Sequence, residues 1–240
     1  MHIILFLTWL LTLGASLLID ANLIADHPPL KLTLRLTSSF LLVLAAAYTI
    51  TRVNKDRRMI AILIALGMFF GFLGDCAMAG LLTFFPSPVI GGMLFFSIGH
   101  IAYITAAELT RRHFKLPAKG EWWTAIITYQ IIGILFWVFF VHRSEYFVPL
   151  HLPTLAYGVL LAGTAGFAHG LMFLNRRFVM IAIGSALFFV SDSIIAFDMF
   201  HWGAEGPLPL VWPTYGPGQM LIVFGYAYAL SNNHATVSNN

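Results

Sequence analysis

Apolar runs of about 20 residues, the length that crosses a bilayer as a helix, recur along this chain from one end to the other. A run of that length leaves no polar face for water, and its backbone groups are satisfied only within a helix or a closed barrel. Only 10% of the 240 residues are charged, against about 25% in a soluble domain, and the mean hydropathy is +0.84. These features exclude a single soluble core, a disordered chain, a collagen and a coiled coil. The reading is an all-α polytopic membrane bundle.

Eight segments qualify as membrane helices: residues 3–19, 32–50, 59–83, 89–110, 122–141, 149–174, 178–200 and 211–230. The first lacks a basic leader and ends Leu17-Leu18-Ile19-Asp20, with no small-residue cleavage site, so it reads as a retained helix. Breaker sequences such as His27-Pro28-Pro29, Phe85-Pro86-Ser87-Pro88 and Gly206-Pro207-Leu208-Pro209 punctuate the short connections. One transmembrane domain over residues 1–230 and a flexible polar tail over 231–240 are expected.

Charge orients the bundle. Arg52, Lys55, Arg57 and Arg58 follow the second helix, Arg111, Arg112, Lys115 and Lys119 the fourth, and Arg176 and Arg177 the sixth. With eight spans these ten basic residues share one side, against Lys31, Arg35 and Arg143 on the other. The positive-inside rule then makes both termini cytoplasmic, as expected in the inner membrane of a bacterium. The net charge of +3 resides in these tufts, so nucleic acid is not an expected partner. One cysteine, Cys76, excludes an intrachain disulfide and a Cys-rich metal site.

The segments GMFFGFLGD (Gly67 to Asp75) and GSALFFVSD (Gly184 to Asp192) lie 117 residues apart, close to half the chain. This echo is compatible with a four-plus-four pseudo-repeat.

Asp75 and Asp192 sit well inside the third and seventh helices, whereas the other acidic residues fall in loops or at helix ends. Each membrane-centred Asp costs about 2.5–3.5 kcal/mol on insertion scales, which calls for a protein-lined or wet cavity around it. Helix directions bring His100, Tyr103, Tyr157, Tyr215 and Gln219 toward the depth of the aspartates, with Arg35 and Lys31 opening the second helix on that side. A pocket among the third, fourth, seventh and eighth helices, open toward the outer half of the membrane, is expected. The bland alternative is a set of polar residues that only tie helices together. His151 and His169 read as interfacial or capping residues.

No G-x-S-x-G elbow, HExxH pair or phosphate loop is present. A metal-dependent lipid hydrolase built on His100, His151 and His169 would need three histidines from different depths. Two carboxylates in one apolar pocket resist double ionisation, so one keeps a proton at neutral pH. Such a pair suits acid-catalysed cleavage through an oxocarbenium ion. It equally suits a proton-coupled lipid or small-molecule transporter. Composition and spacing leave both open.

Four motifs narrow the choice. Gly74-Asp75, Gly99-His100-Ile101-Ala102-Tyr103, Ser191-Asp192-Ser193 and Pro213-Thr214-Tyr215-Gly216-Pro217-Gly218-Gln219-Met220-Leu221 resemble, in order and across the whole chain, the YhhN family of lysoplasmalogenases. The chain departs from the family near the second helix, where a Lys-Pro-Leu is replaced by Pro28-Pro29-Leu30-Lys31-Leu32. The resemblance implies an ether hydrolase of lipid metabolism that cleaves the vinyl ether of a lysoplasmalogen. The products are a fatty aldehyde and glycerophosphoethanolamine or glycerophosphocholine. Asp75 and Asp192 would be catalytic. His100, Tyr103, Tyr157, Tyr215 and Gln219 would position water and the glycerol, and Arg35 or Lys31 would meet the phosphate. The partners implied are a lysophospholipid substrate and the surrounding lipid; no metal or organic cofactor is required.

Overall fold

The structure, a computed structural model, describes residues 1–205 and 208–231. Among them eight long helices follow one another: α1 (His2–Asp20), α2 (Pro28–Arg52), α3 (Arg58–Met78), α4 (Pro88–His113), α5 (Gly120–Phe136), α6 (His151–Leu174), α7 (Val179–Trp202) and α8 (Val211–Ser231). No strand occurs among the described residues, and the chain is a polytopic helical bundle. The expected flexible tail, apart from Ser231, and the Gly206-Pro207 breaker lie outside the described residues.

Seven of the eight helices are long and apolar enough to cross a membrane. The exception, α8, has ample length at 21 residues but carries Pro213, Tyr215, Pro217 and Gln219 in its first half. It is also the most enclosed, with Tyr215, Gln219, Ile222 and Tyr226 all buried. A polar helix is tolerated in such a bundle when protein rather than lipid surrounds it.

Local chemistry sets most boundaries. Pro28 and Pro29 open α2, where His27 Nδ1 accepts from Leu30 N at 3.2 Å, and Ser87 caps α4 by accepting from Ile90 N at 3.3 Å. Gly203 ends α7 in the left-handed conformation (φ 64°). The third helix stops at Met78, not at residue 83 as its apolar run predicts, because Gly80 turns left-handed (φ 73°). Asp75 therefore lies within one turn of its helix end. The last turns of α5 widen into a π segment, Trp137–Val141.

The three basic loops meet at one end of the bundle. Arg57 donates to Leu230 O (2.7 Å) and to His113 Nε2 (3.2 Å), while Arg177 donates to Ala229 O (2.6 Å) and lies over the Phe114 ring. The ends of α4 and α8 and the starts of α3 and α7 are thus tied together, as the alternation of eight helices requires. The guanidinium groups satisfy carbonyls that the end of α8 leaves unpaired. Outward faces are apolar, with Leu11, Ile131 and Leu152 largely exposed. Trp122 is buried beneath Arg111.

Packing repeats between halves. Neighbours in sequence pack pairwise, and across the halves α2 packs on α8 while α6 packs on α4. Counting helices within each half, both contacts join a second helix to the other half's fourth. The third and fourth helices of each half cross on glycines. A Cβ on Gly99 would lie 3.0 Å from Gly67 O, and one on Gly184 would lie 2.6 Å from Gly218 O. Small residues permit this close approach, and Gly67 and Gly184 are the first residues of the two echoing segments.

Candidate functional site

Each half contributes one carboxylate, and each carboxylate is held by the second helix of its own half. Ser39 of α2 donates to Asp75, and Tyr157 of α6 donates to Asp192. Each is then linked to the fourth helix of the opposite half. The Tyr215 hydroxyl of α8 hydrogen-bonds Asp75, and the Tyr157 hydroxyl lies 3.3 Å from His100 Nε2 of α4.

The Asp75 network runs in one direction. Tyr103 donates to Gln219 Oε1 at 3.2 Å, Gln219 Nε2 donates to the Tyr215 oxygen at 3.0 Å, and Tyr215 and Ser39 both point to the carboxyl. Each hydroxyl has one proton to give, so the chain converges on Asp75 as acceptor. Reversal of the whole chain would require the Gln219 amide to turn over, whereas a proton on Asp75 requires only that the Ser39 or Tyr215 hydroxyl rotate to accept it. Gly71 makes room for that amide, since a Cβ there would meet Gln219 Nε2 at 3.0 Å.

The Asp192 network is reversible. With Tyr157 donating to Asp192, His100 Nε2 must donate to Tyr157, and Nδ1 accepts from Thr164 at 2.9 Å. With the proton on Asp192, each hydroxyl rotates and the neutral imidazole takes its other tautomer. Thr164 then uses Leu160 O, 3.2 Å away, as final acceptor. Both directions leave every group paired, so the relay accommodates either protonation state of Asp192.

Two cavities meet at Asp192. The first lies between α2, α3, α7 and α8 and is lined by Asp75, Asp192, Tyr215, Trp212 and Arg35. Arg35 pairs with Asp20 and lies 5.0 Å from the centre of the Trp212 ring, and its buried Nε has no hydrogen-bond partner. The second cavity lies between α4, α5, α6 and α7 and is almost wholly apolar. Met78, Phe96, Asp192 and Ile195 line both.

Of the residues singled out by sequence, Asp75, Asp192, Tyr215 and Arg35 line the first cavity, and Tyr157 and Asp192 the second. His100, Tyr103 and Gln219 stand behind them as the inner parts of the two networks. Lys31 is not brought in. It pairs with Asp20 and Asp26 at 3.4 Å each and lines neither cavity. Asp198, placed by sequence at a helix end, is buried in the last turns of α7. Sequence missed Ser39 and Thr164, whose only signal is a hydroxyl within an apolar helix. It also missed α2, α5 and α6 as walls.

Among the described residues no three His, Cys, Asp or Glu side chains are grouped as metal ligands. His100, His151 and His169 go to separate partners: His100 as above, His151 to Tyr146 O (3.1 Å) and His169 to the Tyr129 hydroxyl (3.3 Å).

Comparison with curated proteins and with solved structures gives no match. The family model described as the YhhN family matches residues 30–226, from the first turn of α2 to Tyr226 in α8. That span holds both carboxylates, both networks and the walls of both cavities, and the chain belongs to the YhhN family.

Proposed function

We propose that this protein hydrolyses the vinyl ether bond of lysoplasmalogens, releasing a fatty aldehyde and glycerophosphoethanolamine or glycerophosphocholine. The observation that carries the reading is the position of Asp192 where a cavity bearing an arginine meets an apolar one, with Asp75 in the same cavity. A lysoplasmalogen has matching parts: an anionic head, one hydrocarbon chain, and an enol ether between them.

The roles follow from the two networks. Asp192, on the reversible relay, gives its proton to the β-carbon of the enol ether, and the ether oxygen stabilises the resulting oxocarbenium ion. Asp75, held as an acceptor by Ser39 and Tyr215, faces the developing positive charge and takes a proton from the attacking water. The new hydroxyl forms a hemiacetal. In its collapse Asp75 returns its proton to the departing glycerol oxygen, the carbon–oxygen bond to glycerol breaks, and Asp192 takes the hemiacetal hydroxyl proton as the relay reverses, which frees the aldehyde and restores both carboxyls. The Arg35 guanidinium, with an unpaired Nε and a stacked Trp212, meets the phosphate. The basic end faces the cytoplasm, which puts the site in the outer half of a bacterial inner membrane.

The test is aldehyde release by detergent-purified protein from a lysoplasmenyl lipid and from its saturated ether analogue. Aldehyde from the vinyl ether alone is expected, since a saturated ether forms no such cation on protonation. Absence of aldehyde from both, with lipid still bound, would overturn the reading in favour of a carrier.

A further inference from the structure

We propose that the apolar cavity between α4, α5, α6 and α7 binds the single hydrocarbon chain of the substrate and measures its length against a stop formed by Val141, Met199 and Phe200. The inference rests on the lipid-hydrolase reading above and goes beyond it by naming what decides which chains are accepted.

The occupant's chemistry follows from the few polar groups in the wall. Thr154 turns to Met93 Sδ (3.9 Å), Ser193 donates to Phe189 O (2.8 Å), and Trp137 Nε1 donates to His151 O (2.8 Å). The Tyr157 hydroxyl is spent on Asp192. Away from Asp192, a polar ligand would therefore lose its hydration with nothing to replace it. A hydrocarbon loses nothing. Three methionines, Met78, Met93 and Met199, line the space, and their unbranched thioethers adapt to a flexible chain.

Position fixes which end of the chain enters. Asp192 stands at the junction with the polar cavity. Ala196 follows one turn later on the same face of α7, and Phe200 one turn after that. The two turns from Asp192 to Phe200 span about 12 Å. At the far end Val141, Met199 and Phe200 form a small apolar core separate from the main one, and Val141 reaches it from the π segment of α5. The chain thus leaves the reacting carbons at Asp192 and runs toward this stop.

Two measurements test this. In the first, a saturated 1-O-alkyl lysolipid with a terminal diazirine is photolysed with the purified protein. Label in the peptides holding Val141, Met199 and Phe200 is expected, competed by unlabelled lysolipid and lost in Ala196→Phe. Label confined to outward-facing positions such as Leu11 or Ile131, with no effect of the variant, would overturn the proposal.

In the second, aldehyde release is profiled over lysoplasmenyl lipids of increasing chain length. Ala196→Phe lowers kcat/KM for the longest chains by about tenfold or more while sparing the shortest, and Phe200→Ala shifts the preference to longer chains. Gly158→Phe is the second plug, since Gly158 lines the cavity and a Cβ there meets nothing within 4 Å. An unchanged profile in well-folded Ala196→Phe and Gly158→Phe would overturn the chain site and leave the hydrolase reading intact. Labelling as expected without aldehyde from any substrate would do the reverse.

Discussion

The two halves of the bundle share a plan and differ in how their first helix closes it. In each, the third helix carries a carboxylate, the second supplies a hydroxyl, and the third and fourth cross on glycines. In the N-terminal half α1 seals the core, burying Trp9 and Leu13, with Leu13 filling the space over Gly216. Its counterpart α5 buries Trp122, Ala125 and Ile126 near its start and then, with the π segment that follows it, forms one wall of the apolar cavity beside Asp192. Asp75 is consequently fixed in a polar network, whereas Asp192 faces two cavities. In the proposed reaction one scaffold thereby yields a network-bound acceptor and a more open donor, the asymmetry that acid–base cleavage uses.

The largest effect that would sharpen this contrast is at the carboxylates. Asp192→Asn is expected to lower aldehyde release from a lysoplasmenyl lipid by about a thousandfold, and Asp75→Asn by about a hundredfold, within the range of general acid–base catalysis. The reverse order would exchange their roles. Near-normal turnover in a well-folded double variant would remove both.

Next comes the head-group side. Arg35→Gln should raise KM for phosphate-bearing substrates about tenfold, in keeping with loss of a charge-assisted hydrogen bond. An alkenyl glycerol without phosphate should be unaffected. An equal change for both substrates would show that Arg35 only anchors Asp20 and Trp212.

Smaller still are the hydroxyls. Tyr157→Phe cuts the Asp192 relay and is expected to lower kcat about tenfold, whereas Ser39→Ala, with Tyr215 still on Asp75, costs about threefold. Equal losses measured by steady-state kcat would break the distinction between a reversible and a fixed network.

Much of this was legible in the sequence because lipid imposes a severe rule: an acidic residue in an apolar helix is conspicuous. Asp75 and Asp192 stood out for that reason, and the charged tufts fixed the alternation of helices that groups Arg57, His113 and Arg177. Ser39 and Thr164 were not legible. A hydroxyl in a helix can bond back to a carbonyl one turn earlier, as Thr164 does to Leu160, so its presence costs little and signals little. The second cavity was hidden for a related reason. Gly133, Phe136 and Val141 are as apolar as residues facing lipid, and whether such a wall meets lipid, protein or empty space depends on helix crossings that hydropathy does not encode. Lys31 misled for the opposite reason, because its charge is legible but its partners, Asp20 and Asp26, depend on the fold of the connection.

The smallest effects concern the scaffold that the halves share. Gly184→Ala would bring a methyl to 2.6 Å of Gly218 O and 2.8 Å of Leu221 Cβ, both on or close to the α8 backbone, so the helices must separate. Overpacking of this kind costs about 1–3 kcal/mol, and thermal unfolding in detergent should fall by several degrees. Gly67→Ala meets the flat face or edge of the Tyr103 ring at 2.4 Å instead. A side chain can shift where a backbone cannot, so the loss of stability should be smaller. Displacing Tyr103, however, disturbs its bond to Gln219 and through it the Asp75 network. Gly67→Ala is therefore expected to lower kcat more than Gly184→Ala does, while Gly184→Ala lowers the unfolding temperature more. Gly14→Ala, where a Cβ meets nothing within 4 Å, should change neither. If the two crossing glycines lose activity and stability in the same ratio, the halves are coupled through the whole bundle rather than each serving its own carboxylate.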